Sequence, residues 1–180
     1  MSQKTNKLIW EYVESFTIAI VLALIIRTFI VQPFKIPTGS MHTTLLEGDR
    51  ILVNKFIYRF KEPEIGDVVV FKSPETANKD YIKRLAAQNG DKIQIKNGRI
   101  WLNNQLLDHP DIFRQNYYYN RGEYAVEDSM YVVPEGKMFV LGDNSLSSHD
   151  SRYWGPFARK YLEGKAFLIF WPPHRIRIIR

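Results

Sequence analysis

Apolar positions follow two regimes along the chain. From Phe16 to Val31 they run almost unbroken (FTIAIVLALIIRTFIV), with Arg27 as the single charge. With LIWEYVES upstream, the helix-compatible stretch reaches the ~20 residues that a bilayer core requires. It is bounded at 8–32, with residues 1–7 a short tail and Pro33 ending the helix. Glu11 and Glu14 suit a helix start at the headgroups, Trp10 and Tyr12 are interfacial anchors, and Arg27 is close enough to the far end to snorkel. A cleaved signal peptide would want a small-residue cleavage site, which TFIVQPFKIP does not offer. A buried core helix is the other alternative, and an uncleaved anchor is the favoured reading. Lys4 and Lys7 precede the span and Lys35 follows it, which biases the N-terminus to the cytoplasm and the body outward.

Beyond Pro33 the pattern shortens and alternates. RILVNKF follows the turn EGD, DVVVFKSP follows EIG, and KAFLIFWPP is a late apolar strand stopped by two prolines. DKIQIKNGRIWLNNQ reads as a hairpin around Asn97-Gly98. MYVVPEGKMFVLGDN repeats that theme, with its turn at Pro134–Gly136. Short strands punctuated by turn residues predict an all-β fold, an antiparallel β-sheet domain over 33–180 behind one N-terminal transmembrane helix. Residues 109–129 have no clean period and read as a loop or projecting insertion. NKFIYRFKEP reads as a strand packing into the core, the alternative being an exposed apolar rim at the membrane interface.

Composition narrows the chemistry. The absence of cysteine removes disulfides, thiol catalysis and cysteine zinc sites. A net charge of +6 without any long basic run gives no reason to expect nucleic-acid binding.

Ser40 sits in IPTGSMHTTLLEGDR, a few residues past the apolar run, and a serine nucleophile needs a base. Of the histidines, His42 is too local to reach Ser40 easily. His149 stands beside Asp150, so a Ser40–His149–Asp triad is conceivable. The other candidate is Lys83, in DYIKRLAAQNGD, where alternation puts Tyr81, Lys83 and Leu85 on one face. A lysine among apolar neighbours either extends its amine to solvent or is desolvated, and desolvation could bring its pKa from ~10.4 toward 7–8. The neutral amine would then accept the Ser40 proton.

Three segments in order behind an apolar helix, PTGSM, YIKR…NGD and GDNSLSSHDSRYWG, resemble the type I signal peptidases of bacteria. The resemblance extends from about Pro33 to Trp171. It implies a membrane-bound serine endopeptidase of all-β fold, with a smaller β insertion at about 95–137, that removes signal peptides from exported preproteins. It also implies Ser40 as nucleophile, Lys83 as general base, and the Thr38 hydroxyl with the Ser40 N–H as the oxyanion hole. By the same resemblance Ser148 orients the lysine, and Asp143 with Arg84 and Asp150 with Arg152 brace the site. No cofactor or metal is expected. The implied partners are preprotein signal peptides and the lipid bilayer, and the implied location is the bacterial plasma membrane with the catalytic domain outside. Oligomeric state is not readable.

Three places depart from the family pattern: Thr43 stands where proline is usual, Ser145 and Leu146 replace Arg-Asp, and LAAQNGD replaces apolar-Gly-Leu-Pro-Gly-Asp. Rival readings are a self-cleaving repressor-type Ser/Lys protein, disfavoured by the apolar helix, and a catalytically silent anchored scaffold that binds exported chains.

Overall fold

The structure, a computed structural model, describes residues 2–25, 30–76, 79–127 and 129–180, with side chains in the first helix from Trp10 to Leu24. That helix, α1 (Ser2–Ile25), leads to strands β1 (Val31–Lys35), β2 (Arg50–Asn54), β3 (Val68–Lys72) and β4 (Asp80–Gln88). Next come β5 (Lys92–Lys96), β6 (Arg99–Leu102), β7 (Gln105–Leu106), the short helix α2 (Asp111–Gln115), β8 (Tyr131–Val132) and β9 (Lys137–Leu141). The chain closes with α3 (Ser151–Trp154), β10 (Phe157–Ala158), β11 (Leu162–Trp171) and β12 (Arg177–Ile178).

Among the described residues no helix is long and apolar enough to cross a membrane. Every described α1 side chain is exposed, so the rest of the chain buries none of them. Arg27 lies outside the described residues, as do the side chains of Lys4 and Lys7. The chain is already in strand at Val31, inside the stretch assigned to the anchor. Pro33 sits within this edge strand, a place a residue without an N–H tolerates. The strand is invisible to periodicity because its apolar residues continue the helical run.

The main body is antiparallel β throughout, as its alternation predicts. An eight-stranded sheet has the order β1-β2-β11-β3-β4-β9-β10, with β12 on β11. β3 is buried almost end to end at its centre. One row of paired residues crosses the sheet: Val31 faces Asn54, Asn54 faces Lys165, Lys165 faces Val69, and Val69 faces Lys83. At ~4.8 Å per step, the strand start next to α1 lies ~19 Å from Lys83 at the same level of the sheet.

A second, four-stranded sheet, β7-β6-β5-β8, forms the insertion and begins at Lys92, slightly before the expected 95. Its β5–β6 turn is the Asn97-Gly98 pair, with φ of 51° and 71°, the two left-handed residues that a tight hairpin wants. A Cβ on Gly98 would fall 2.2 Å from the Tyr117 ring, so glycine is needed there for packing as well. Ile93, Ile95 and Ile100 of the insertion share a core with Phe113, Tyr118, Phe139 and Leu141, which joins the two sheets.

Two expectations fail. MYVVPEGKMFVLGDN does turn at Pro134–Gly136, but β8 belongs to the small sheet and β9 to the large one. The segment is a crossover between sheets, not a hairpin. NKFIYRFKEP is no strand beyond Asn54. It forms a 3-10 turn at Ile57–Arg59, because the Asn54 side chain accepts from the Phe56 and Ile57 N–H groups and bends the chain away.

Candidate active site

The loop between β1 and β2 is held at its base by Ile36 N–H to Asp49 O and Gly48 N–H to Ile36 O, and pinned to the core by buried Met41 and Leu45. Asp49 accepts from Leu46 N–H and both arms of Arg175. Burial pushes the Asp49 carboxyl up, but these donors outweigh it and hold it below its ordinary value. On this frame Gly39–Met41 makes one 3-10 turn that carries Ser40. As a first-turn donor, the Ser40 N–H needs no acceptor within that turn.

Lys83 reaches Ser40 from β4. Its Nζ lies 2.7 Å from Ser40 Oγ, and the residue is 6% exposed. Tyr81 and Leu85, its neighbours at alternate positions, pack around Phe71, and the Tyr81 ring centre is 5.8 Å from Nζ. Burial pushes the amine down to about 8, with Asp150 and Asp143 drawing it back up and Arg152 adding to the depression. The protonated amine donates to Ser40; the neutral amine accepts from it. The pair opens on a cleft of about 570 Å³ whose walls include Phe34, Ile36, Thr38, Met41, Ile82 and His149.

Two wholly buried ion pairs brace the segment 142–152. The Arg84 fork spans both Asp143 oxygens at 2.8 Å and also reaches Gly66 O and Thr44 Oγ1. Arg152 grips Asp150 at 2.7 and 2.8 Å, while Asp150 Oδ2 also accepts from Gly142 N–H at 2.9 Å. Such pairs add little net stability against an apolar core, but losing either partner strands a charge. Their effect is to fix the loop.

The other anticipated residues are placed less uniformly. Thr38 is extended, its hydroxyl caps nothing, and it lines the cleft. Ser148 is buried, yet its Oγ has no hydrogen-bond partner among the described residues, so the expected contact with Lys83 is not made. Ser148 packs instead on Gly142, where an added Cβ would lie 2.1 Å from Ser148 Oγ and 2.6 Å from Ser40 O. His149 is half exposed and pairs with Glu75 at 3.0 Å, and Asp150 is engaged by Arg152 and Gly142. No Ser40–His149–Asp triad is assembled.

Asn144 has a role that nothing in its sequence context announces. Its N–H donates to Ser40 O at 3.0 Å and its Nδ2 to Gly39 O at 3.1 Å, so one residue holds both carbonyls flanking the Ser40 N–H. Ser145, one of the departures, accepts from Arg152 Nη1 at 2.6 Å and Tyr119 N–H at 2.8 Å. Asn116 Nδ2 donates to Asp143 O at 2.6 Å. The tyrosine-rich tract of the insertion therefore buttresses the loop bearing Asp143. Nothing in the structure explains threonine at 43.

A family model described as "Signal peptidase, peptidase S26" matches residues 9–171. The probable signal peptidase I-2 of Synechocystis sp. is 34% identical, over 94% of this chain and 76% of its own length. The signal peptidase I of Aquifex aeolicus is 34% identical, over 89% of this chain and 83% of its own. A crystal structure of a signal peptidase I from Enterococcus faecalis matches with a TM-score of 0.49 and 29% identity, covering 58% of this chain and 97% of that one. A serine beside a buried lysine in an antiparallel sheet thus occurs in a chain matched along nearly all its length: this protein is a serine peptidase of the signal peptidase, peptidase S26, family.

Proposed function

We propose that the protein is a membrane-anchored endopeptidase that cleaves N-terminal signal peptides from exported preproteins, with Ser40 as nucleophile and Lys83 as general base. The 2.7 Å contact between Lys83 Nζ and Ser40 Oγ inside a largely apolar cleft carries the reading. The neutral amine takes the Ser40 proton as Oγ attacks the scissile carbonyl. The oxyanion is met by the Ser40 N–H, which Asn144 aims through the neighbouring carbonyls, and by the hydroxyl of Thr38, which lines the cleft. Lys83 returns the proton to the leaving amine, then activates the water that hydrolyses the acyl-enzyme. Asp143, Arg84, Asp150 and Arg152 hold this geometry, and Ser148 has an unspent hydroxyl available to the lysine once substrate excludes water. The exposed apolar α1 favours anchorage in the bilayer, with the body on the outer face of the bacterial plasma membrane. A sheet row joining the α1 side to Lys83 suits a substrate cut close to the membrane.

The test is processing of a purified preprotein by Ser40→Ala and Lys83→Ala. Both should lose about 10³-fold or more in kcat/KM, since members of a nucleophile–base pair act as a unit. Wild-type rates in both would overturn the dyad. His149→Ala should keep substantial activity.

A further inference from the structure

We propose that Arg175 and Arg177 are positioning residues for Ser40, clamping the β1–β2 loop so that its 3-10 turn stays against Lys83. This deepens the dyad reading above and rests on it. The segment that carries them faces the wrong way for one placed by apolar burial. Ile176 and Ile178 are 58% and 68% exposed, while Arg175, Arg177 and Ile179 point to the loop. Alternate residues share a face, so a shift of one residue would carry the isoleucines to the loop and both arginines away from it. Pairing with β11, Ile178 opposite Leu168 and Arg177 opposite Ile169, fixes the register that keeps the arginines there.

All three residues on that face engage the loop. Arg175 forks onto Asp49, Nε to Oδ1 at 2.8 Å and Nη2 to Oδ2 at 2.9 Å, and Asp49 in turn accepts from Leu46 N–H. Arg177 Nη2 donates to Thr44 O at 2.8 Å, and Ile179 shares a core with Met41 and Leu45. Thr44 is the junction. Its hydroxyl accepts from Arg84 Nη2 at 3.2 Å, and Arg84 also grips Asp143, so the loop is held between β12 and the brace next to Asn144. Leu45 N–H returns to Met41 O at 2.8 Å and His42 N–H to Gly39 O at 3.0 Å, so a displacement at Thr44 is passed to the Ser40 turn. The 2.7 Å contact of Lys83 with Ser40 thus depends on two arginines that bond to neither residue.

The test is the pH dependence of cleavage of a soluble peptide spanning a preprotein cleavage site, by the full chain carrying Arg177→Met, the pair Asp49→Asn with Arg175→Met, or Ile178→Thr. The paired substitution avoids stranding a buried carboxylate. Arg177→Met, at an exposed position, carries the test alone where the pair does not fold. Each should lower kcat about tenfold or more with KM within about twofold, since lost alignment slows the chemical step. A loosened turn also admits water to Lys83, so the midpoint of kcat/KM should rise by about half a unit or more. The charges acting on that amine are Asp150, Asp143 and Arg152, with the Tyr81 ring beside it, and all of them stay in place. Neither substituted arginine is among them, so a moved midpoint reports solvation and not a lost charge. Ile178→Thr, on the opposite face, should match the wild type in kcat and midpoint. A kcat that falls only with the folded fraction, at an unmoved midpoint, would make the arginines structural and overturn the proposal. An equal fall in Ile178→Thr would overturn it too. A wild-type profile without a midpoint would overturn the dyad, and this positioning with it.

Discussion

An ammonium at Lys83 has little water to solvate it, and two consequences follow for this one residue. Its amine titrates at about 8 when folded and at 10.5 in an ordinary environment, so between those values the unfolded chain binds more protons. Stability therefore rises with pH across that window, and below it the fold carries a penalty of about 3 kcal/mol. Lys83→Met, which keeps the stem and drops the charge, should raise the Tm at pH 7, and the gap to wild type should close toward pH 10.5. Activity runs in the same direction: kcat/KM should climb through about pH 8 and level off, and a profile flat from pH 6 to 10 would contradict a titrating lysine. Thr38→Val should lower kcat about 10²–10³-fold with little change in KM if its hydroxyl meets the oxyanion. Gly142→Ala tests packing instead. With a Cβ 2.1 Å from Ser148 Oγ and 2.6 Å from Ser40 O, either the Ser40 turn or Ser148 must move. A stability loss of about 1–3 kcal/mol with a larger loss of activity is expected, measured by denaturant unfolding and preprotein cleavage.

At the level of elements, the loops that hold the site depend on a part of the chain with no chemistry of its own. Asn116, Tyr119 and the backbone at Glu123 and Tyr124 all bond to the 143–152 segment. Ser145→Ala removes the hydroxyl shared by Arg152 and Tyr119, costing the part-buried Tyr119 N–H its acceptor and leaving Arg152 Nη1 with Tyr119 O. It should lower stability by about 1–3 kcal/mol and slow turnover, whereas Leu146→Ala, at an exposed position, should do neither. This dependence also explains what was legible beforehand. Asn97-Gly98 announced its hairpin because turn chemistry is local, and Lys83 stood out because a lysine among alternating apolar residues breaks a local pattern. Asn144 and Asn116 did not, since an amide that bonds carbonyls across the fold leaves no mark on spacing. The turn at Phe56 was misread as strand because its apolar residues say nothing of which side they face. Ser148 was named from family resemblance alone, and its missing hydrogen bond is a detail no pattern could supply.

For the molecule as a whole, the row from Val31 to Lys83 has a consequence for tethering. Val31 is already paired with Asn54, and some six residue steps carry the chain there from Ile25, at most ~21 Å. If α1 is held in a bilayer as proposed, so short a link would keep the peptidase close to the lipid, with Lys83 level with Val31 in the sheet. Slack would spoil that placement without touching a single catalytic atom. A Gly/Ser segment of ten residues inserted after Arg27 should slow cleavage of a membrane-embedded preprotein, yet leave the rate on a soluble peptide unchanged; equal rates on both would mean that the substrate, not the enzyme, sets the height of the cut.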